Sequence, residues 1–329
     1  MNSLAHALPF QDGPRLLADI GATNARFCIE GAPGNFAHIY VLPCADFADI
    51  GAAMRAFLER AGVHSVAHCA IAIANPIDGD RIKMTNHHWE FSIEAVQREM
   101  SFQRFIVVND FAALARAIPY LAPADSVKIG GAEAVPGEPI GLVGAGTGLG
   151  VGALIQFGTQ YKALASEGGH ATFSPVDEQE LNVLRFAWRE HEHVSAERLM
   201  AGPGIELIYR ALTTRHGAKP ESRSTAQIVE FALRESDPLC VETVRCFCAM
   251  LGSFSGNLAV TLGARGGIYI GGGVVPKLGD FFLRSAFRER FEAKGRMRAY
   301  VTPIPVHIIT AYYPAFIGVS AMLDEAMSS

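Results

Sequence analysis

The chain has 329 residues, 28 Lys and Arg against 33 Asp and Glu, and is half apolar with 19% charged residues. That length suggests about two domains at ~100–200 residues each, and the apolar share argues against intrinsic disorder. The formal net charge of −5 argues against a nucleic-acid backbone binder, and no uninterrupted apolar run approaches the ~18–20 residues of a membrane span.

Residues 1–13 lack the basic flank and long apolar core of a signal peptide, so the cytoplasm is the expected compartment. Cys28, Cys44, Cys69, Cys240, Cys246 and Cys248 form no C-x-x-C pair, which predicts reduced thiols.

Residues 15–20 and 27–30 predict two short strands joined by a polar, glycine-containing turn, with a third strand over 37–42. Phe47, Ile50, Met54, Phe57, Leu58 and Ala61 then recur at helical spacing, with Asp46 and Asp49 suited to the helix start and Gly62 to its end. A continuous apolar strand over 66–74 ends at Asn75-Pro76. A short helix over 92–100 precedes a buried strand over 105–108 that runs into Asn109-Asp110. The order βββαβαβα predicts an α/β layer structure with a largely parallel sheet and an antiparallel meander at its start.

A second unit begins after residues 119–123. Strands over 140–143 and 149–157 flank the glycine-rich stretch 144–150, so a second hairpin with a small-residue turn opens a second α/β unit. This pattern suggests a duplication and a two-lobed molecule whose lobes each contribute one turn to a shared central cleft. The small domain is expected over residues 1–120 plus 311–329 and the large one over 121–310. Helices are predicted over 178–189, 204–212, 225–233 and 238–262. A strand over 267–270, the turn Gly271-Gly-Gly273 and a helix near 277–291 follow. The helix over 315–326 carries an apolar stripe of Phe316, Val319, Met322 and Leu323 that suits packing back onto a lobe.

Several segments could carry chemistry. Asp19 ends a buried strand, Gly21 allows close approach to the turn, and Thr23 and Asn24 can donate hydrogen bonds. That is phosphate-site chemistry, in which Asp19 could hold a hydrated Mg²⁺; the plain reading is an ordinary hairpin turn. In 144–150, four alternate glycines make a backbone that an anion can approach from several sides. Gly148 to Ala153 also fits a G-x-G-x-x-A fingerprint, but that motif must open a helix and 151–157 reads as a strand. There is no G-x-x-x-x-G-K-[ST], so a nucleotide would be held without a P-loop lysine.

The glycines at 271–273 could lie against an adenosine. Asn109-Asp110 leaves an apolar strand at a sheet's carboxyl edge, where α/β proteins bind ligands. Glu167 and His170 lie on a glycine-rich segment, and Glu197 near a helix start; each could equally be a surface or capping residue. Asn86-His87-His88-Trp89 carries less weight, since adjacent histidines diverge and chelate poorly.

In this order, the segments resemble bacterial glucokinases of the hexokinase, actin and sugar-kinase superfamily. The resemblance runs from Leu16 to about Leu323 through LLADIGATNARF, VVNDFAALA, GLVGAGTGLGVG, ASEGGHATFSP, HVSAERLMAGPG and GGIYIGGGVVP. It implies an actin-like ATPase (ribonuclease H-like) fold, ATP and Mg²⁺ as cofactors, phosphorylation of D-glucose to glucose 6-phosphate at the entry of glycolysis, and a homodimer.

Residue by residue, the resemblance places the first phosphate segment at Ala18, Asp19, Ile20, Gly21, Ala22 and Thr23. It places the second at Gly144, Gly146, Thr147 and Gly148, and the adenosine turn at Gly271, Gly272 and Gly273. It makes Asn109, Asp110, Glu167, His170 and Glu197 the glucose ligands, with Asp110 the general base. Ala22 departs from the family, which commonly has a second glycine there. A kinase for another hexose, or a sugar-sensing regulator without turnover, are the alternatives.

Overall fold

The computed structural model describes residues 8–84 and 87–328. Expectations for Asn86 and for residues 1–7 of the leader lie outside the described residues. The described chain falls into two compact units, one drawn from Met1–Leu121 and Tyr312–Ser329, the other from Ala122–Ala311.

The first unit runs β1 (Arg15–Ile20), β2 (Asn24–Ala32), β3 (Asn35–Pro43), α1 (Ile50–Ala61), β4 (His68–Ile73), β5 (Arg81–Lys83), β6 (Glu90–Ser92), α2 (Ile93–Glu99), β7 (Arg104–Asn109) and α3 (Asp110–Ala117). Its main sheet has the order β3-β2-β1-β4-β7, antiparallel on the meander side and parallel from β1 to β7. Local chemistry starts and stops α1 as expected: Asp49 accepts from the Ala52 N–H at 2.7 Å, and Gly62 closes the helix at φ 67°. The small β5–β6 hairpin was not expected. Its strands are three residues each and mostly exposed, too short for an alternating pattern to register.

One face of this sheet packs Phe27 and Ile71 against Met54 and Phe57 of α1. The other packs Leu17, Cys28 and Ala70, together with Ala113 of α3, against Phe316, Val319 and Leu323, which belong to the last helix of the chain (Pro314–Ser328). Polar ties fix that helix as well. Arg15 pairs with Asp324 at 2.6 Å, Arg116 pairs with Glu325, and the Ser320 hydroxyl lies 2.8 Å from both oxygens of the fully buried Glu30 carboxylate.

The second unit runs β8 (Ser126–Lys128), β9 (Ile140–Ala145), β10 (Leu149–Phe157), β11 (Gln160–Ser166), α4 (Glu178–Ala187), α5 (Ala196–Met200), α6 (Gly202–Arg215), α7 (Thr225–Leu233), α8 (Pro238–Leu262) and β12 (Ile268–Gly271). The short α9 (Val275–Leu278), α10 (Asp280–Leu283), α11 (Phe287–Glu292) and α12 (Arg298–Val301) follow, then β13 (Val306–Ile309). The helix at Pro314–Ser328 is α13. The sheet order is β11-β10-β9-β12-β13-β8. Leaving out the added edge strand β8, this repeats the first unit: third, second, first, fourth, fifth.

α8 is long and apolar enough to cross a membrane by length and composition. It is instead a core helix, with Cys246, Phe247, Cys248 and Leu251 buried in the second unit's main cluster. The single helix expected near 277–291 is three short ones. Gly279, at φ 49° and ψ −130°, leaves helical geometry between the first two. α6 starts two residues before the expected 204. Gly204 lies inside it because a Cβ there would fall 2.4 Å from Leu199 O, so close packing on α5 requires the glycine.

Candidate active site

In the second unit the expected glycine segments come together. The turn between β9 and β10 is closed by the Gly146 N–H donating to Gly148 O at 2.8 Å, and Gly146 O accepts from the Gly202 N–H at 2.8 Å. β12 pairs with β9 so that Gly271 lies opposite Gly144. Gly272 then turns at φ 81°, where a Cβ would fall 2.3 Å from Ala145 O, and Ala145 O accepts from the Val274 N–H at 3.0 Å. Only glycine satisfies both the dihedral and the close approach.

These two turns border a cavity of about 900 Å³. Gly146 and Thr147 line it from one side, Gly273, Val274 and Lys277 from another, and Gly202 and Pro203 from the start of α6. α7 with the residue after it contributes a mixed wall, apolar at Ala226, Val229 and Leu233 and polar at Thr225, Glu230 and Arg234. Arg234 pairs with Glu230 at 2.8 Å, while Lys277 has no ion-pair partner among the described residues. The volume lies within the range of nucleotide-sized pockets.

The other end of the same turn meets the polar candidates. Glu197 Oε2 accepts from the Leu149 N–H at 2.9 Å, and a Cβ on Gly148 would fall 2.5 Å from that oxygen. His170 Nε2 lies 3.9 Å from Glu197 Oε1 and 3.8 Å from Glu167 Oε2. The backbone brings these three together. Residues 171–173 run beside 194–196, through the Ala196 N–H to Ala171 O at 2.8 Å and the Phe173 N–H to Val194 O at 2.9 Å. Gly169 is pressed so closely to Leu149 O that no side chain fits. Ser195 caps α5, accepting from the Arg198 N–H at 3.2 Å, so Glu197 projects from the first helical turn. The side chains of Glu167 and His170 stay 76% and 60% exposed, open to a hydroxylated ligand.

In the first unit, β1 delivers Asp19 to the turn at Gly21–Thr23, which is held by the Gly21 N–H to Asn24 O at 3.0 Å and the Cys44 N–H to Thr23 O at 2.9 Å. Asp19 Oδ2 pairs with Arg26 Nη1 at 3.1 Å, yet burial raises its carboxyl above the ordinary range, with the guanidinium opposing that rise. Among the described residues no group of three or more His, Cys, Asp or Glu forms a metal cage. Asp19 is a lone carboxylate, partly open to solvent. It fits a hydrated Mg²⁺ held through water rather than one stripped of its shell.

β4 and β7 end together, with Ile73 opposite Asn109. Asn109 is the cap of α3: its Oδ1 accepts from the Phe111 and Ala112 N–H groups at 3.0 and 3.1 Å, and its Nδ2 donates to Asn75 O at 3.3 Å. Asp110 Oδ1 shares the Phe111 N–H at 2.9 Å. The half-buried Asp110 is thereby oriented by its own helix start.

His87 and His88 are packed as an aromatic pair 4.1 Å apart, and His88 Nε2 lies 3.2 Å from Phe47 O. The α7 wall, Lys277 and Pro203 escaped the sequence reading. The capping box of Ser224 and Gln227 signals where α7 begins, but not which face looks onto a cavity.

A family model described as Glucokinase matches residues 16–326. The bifunctional protein glk of Burkholderia pseudomallei (strain 1710b) is 56% identical over 99% of this chain and 51% of its own length. The chain thus spans about half the length of the bifunctional relatives it matches. The glucokinase of Chromobacterium violaceum is 47% identical over 96% of this chain and 90% of its own length. The crystal structure of a glucokinase from an Antarctic psychrotroph matches with a TM-score of 0.86 at 36% identity, covering 96% of this chain and 100% of that one.

Proposed function

The chain belongs to the glucokinase family, with its actin-like ATPase fold, and from that membership we propose that it transfers the γ-phosphoryl group of ATP to the 6-hydroxyl of D-glucose. The products are ADP, glucose 6-phosphate and the proton released from that hydroxyl. One observation supports this reading above the others. A single glycine turn, 146–148, has a nucleotide-sized cavity at one end and the Glu167, His170 and Glu197 cluster at the other. A phosphoryl group held at such a turn would lie beside both partners of the transfer.

Phosphoryl transfer needs positioning and charge neutralisation more than covalent help. In the proposal the backbone N–H groups of Thr147 and Gly148 and of Ala22 and Thr23 face the phosphates, the α7 wall and Gly271–Gly273 take the adenosine, and Lys277 supplies a cation at the cavity. Mg²⁺, which arrives with ATP and neutralises phosphate charge when bound, would be held by Asp19 through water. Asn109, Glu167, His170 and Glu197 bind sugar hydroxyls. Asp110, at the start of α3, accepts the proton of the attacking hydroxyl as general base. Asn109 already uses Oδ1 on two N–H groups and one Nδ2 proton on Asn75, so it offers the sugar a donor. The proposal includes the two units as domains, a cytoplasmic location and a homodimer, the last checked by sedimentation.

The test is NADPH-coupled formation of glucose 6-phosphate from D-glucose and Mg·ATP, with a panel of hexoses and Asp110→Ala alongside. Glucose-selective turnover that falls roughly 10²–10⁴-fold in the variant, with nucleotide affinity retained, is the expected result. Turnover on another hexose alone would move the substrate, and glucose binding without turnover would identify a sensor.

A further inference from the structure

α6 and α7 meet at a contact that no sequence motif marks. Glu206, half-buried on α6, accepts from the Thr225 N–H at 2.7 Å through Oε1, and the same oxygen lies 2.9 Å from Thr225 Oγ1. That hydroxyl also lies 2.7 Å from Gly202 O, and the Gly202 N–H donates to Gly146 O at 2.8 Å. A hydroxyl has one proton to give, so the carboxylate's firm hold is on the amide. Thr225 is the first residue of α7, and the carboxylate therefore sits at the positive end of a nine-residue helix. Ala226, Val229 and Leu233, which face the cavity, are carried by that helix.

We propose that Glu206 is a positioning residue for the nucleotide. It does not line the cavity, but it fixes the α7 wall against the Gly146–Gly148 turn on the far side of it, through Thr225 and Gly202. The inference rests on the reading of this cavity as the nucleotide site. α7 does not need Glu206 in order to be a helix, because Ser224 and Gln227 already cap it reciprocally. Removing the carboxylate should shift where α7 stands rather than melt it.

Steady-state kinetics of the full chain test this with Glu206→Ala and Glu206→Gln. The alanine variant is expected to raise KM for Mg·ATP roughly tenfold, about the effect of losing one capping interaction, with kcat and KM for glucose essentially unchanged. Glutamine keeps an oxygen that can accept from Thr225 and should restore KM to within about threefold of the parent value. An unchanged KM for Mg·ATP in Glu206→Ala overturns the proposal. So does a fall in kcat together with a rise in both KM values, which would mark a merely structural role, or failure of glutamine to rescue.

Should the alanine variant not fold, Thr225→Val removes only the hydroxyl bridge and is expected to raise KM for Mg·ATP about threefold. No change there would overturn the proposal equally. A parent protein that binds no ATP in calorimetry would remove the nucleotide reading, and this inference with it, whereas normal ATP binding by an indifferent variant removes the inference alone.

Discussion

Gly148 shows how tightly one residue couples the two ends of the glycine turn. Its missing side chain is what lets Glu197 reach the Leu149 N–H, since a Cβ would fall 2.5 Å from Glu197 Oε2. Gly148→Ala is therefore expected to push the carboxylate aside and raise KM for glucose by roughly tenfold or more, the loss of one hydrogen bond to a charged group. Coupled assays across a glucose titration check it, and an unchanged KM would mean that Glu197 has no part in holding the sugar. At this scale much of the site was legible in the amino-acid sequence. Alternate glycines after an apolar strand announce a turn that a ligand can approach closely, and Asn109-Asp110 at a strand end announces polar groups at a sheet edge. Glu167, His170 and Glu197 were not legible individually, because their meeting depends on residues 171–173 lying beside 194–196. Glu206 was wholly illegible: its partner is a backbone amide 19 residues away on another helix.

Among the elements, α13 is the clearest case of one segment completing another fold. Gly318 fits against α3 so closely that no side chain is tolerated beside Ala113 O, and Glu30 is buried beneath the helix. Burial pushes the Glu30 carboxyl above its ordinary 4.5; the Gly34 N–H, Ser320 and Arg15 oppose that rise, and Asp324 adds to it. An acid with a raised folded pKa binds its proton more readily in the native state. Its contribution to stability therefore declines as pH climbs from the unfolded value through the folded one. Glu30→Gln does not titrate, so any advantage in Tm of the parent over the variant should shrink as pH climbs above the ordinary 4.5 of a glutamate. Calorimetry across a pH series is the check, and a gap that widens with pH would contradict the sign. Periodicity predicted α1, α13 and the buried strands β1, β4, β7, β9, β10 and β12 because each has one clear apolar face or run. It missed β5, β6, β8, β13 and the breaks in the 275–292 stretch, whose pieces are too short to show a period, and also β11, which no reading of 160–166 predicted.

For the whole molecule, the repeat of one strand order in two sheets is matched by an asymmetry in how the sheets are finished. The second unit is a single continuous stretch, Ala122–Ala311, whereas the first needs α13 from beyond it. Deleting residues 314–329 is expected to strip hydrogen-exchange protection from β1, β4 and α3 while β9 and β12 keep theirs. Exchange mass spectrometry reads both at once, and uniform loss across the chain would refute the independence of the second unit. The same asymmetry separates the order of synthesis from the order of folding. After the N-terminal part of the first unit ends at Leu121, about 190 further residues are made before its covering helix begins, a delay of roughly 10–40 s at ordinary elongation rates. During that interval Leu17, Cys28, Ala70 and Ala72 form an uncovered apolar face on a nascent chain, which makes the N-terminal unit the part that most needs a chaperone on the ribosome.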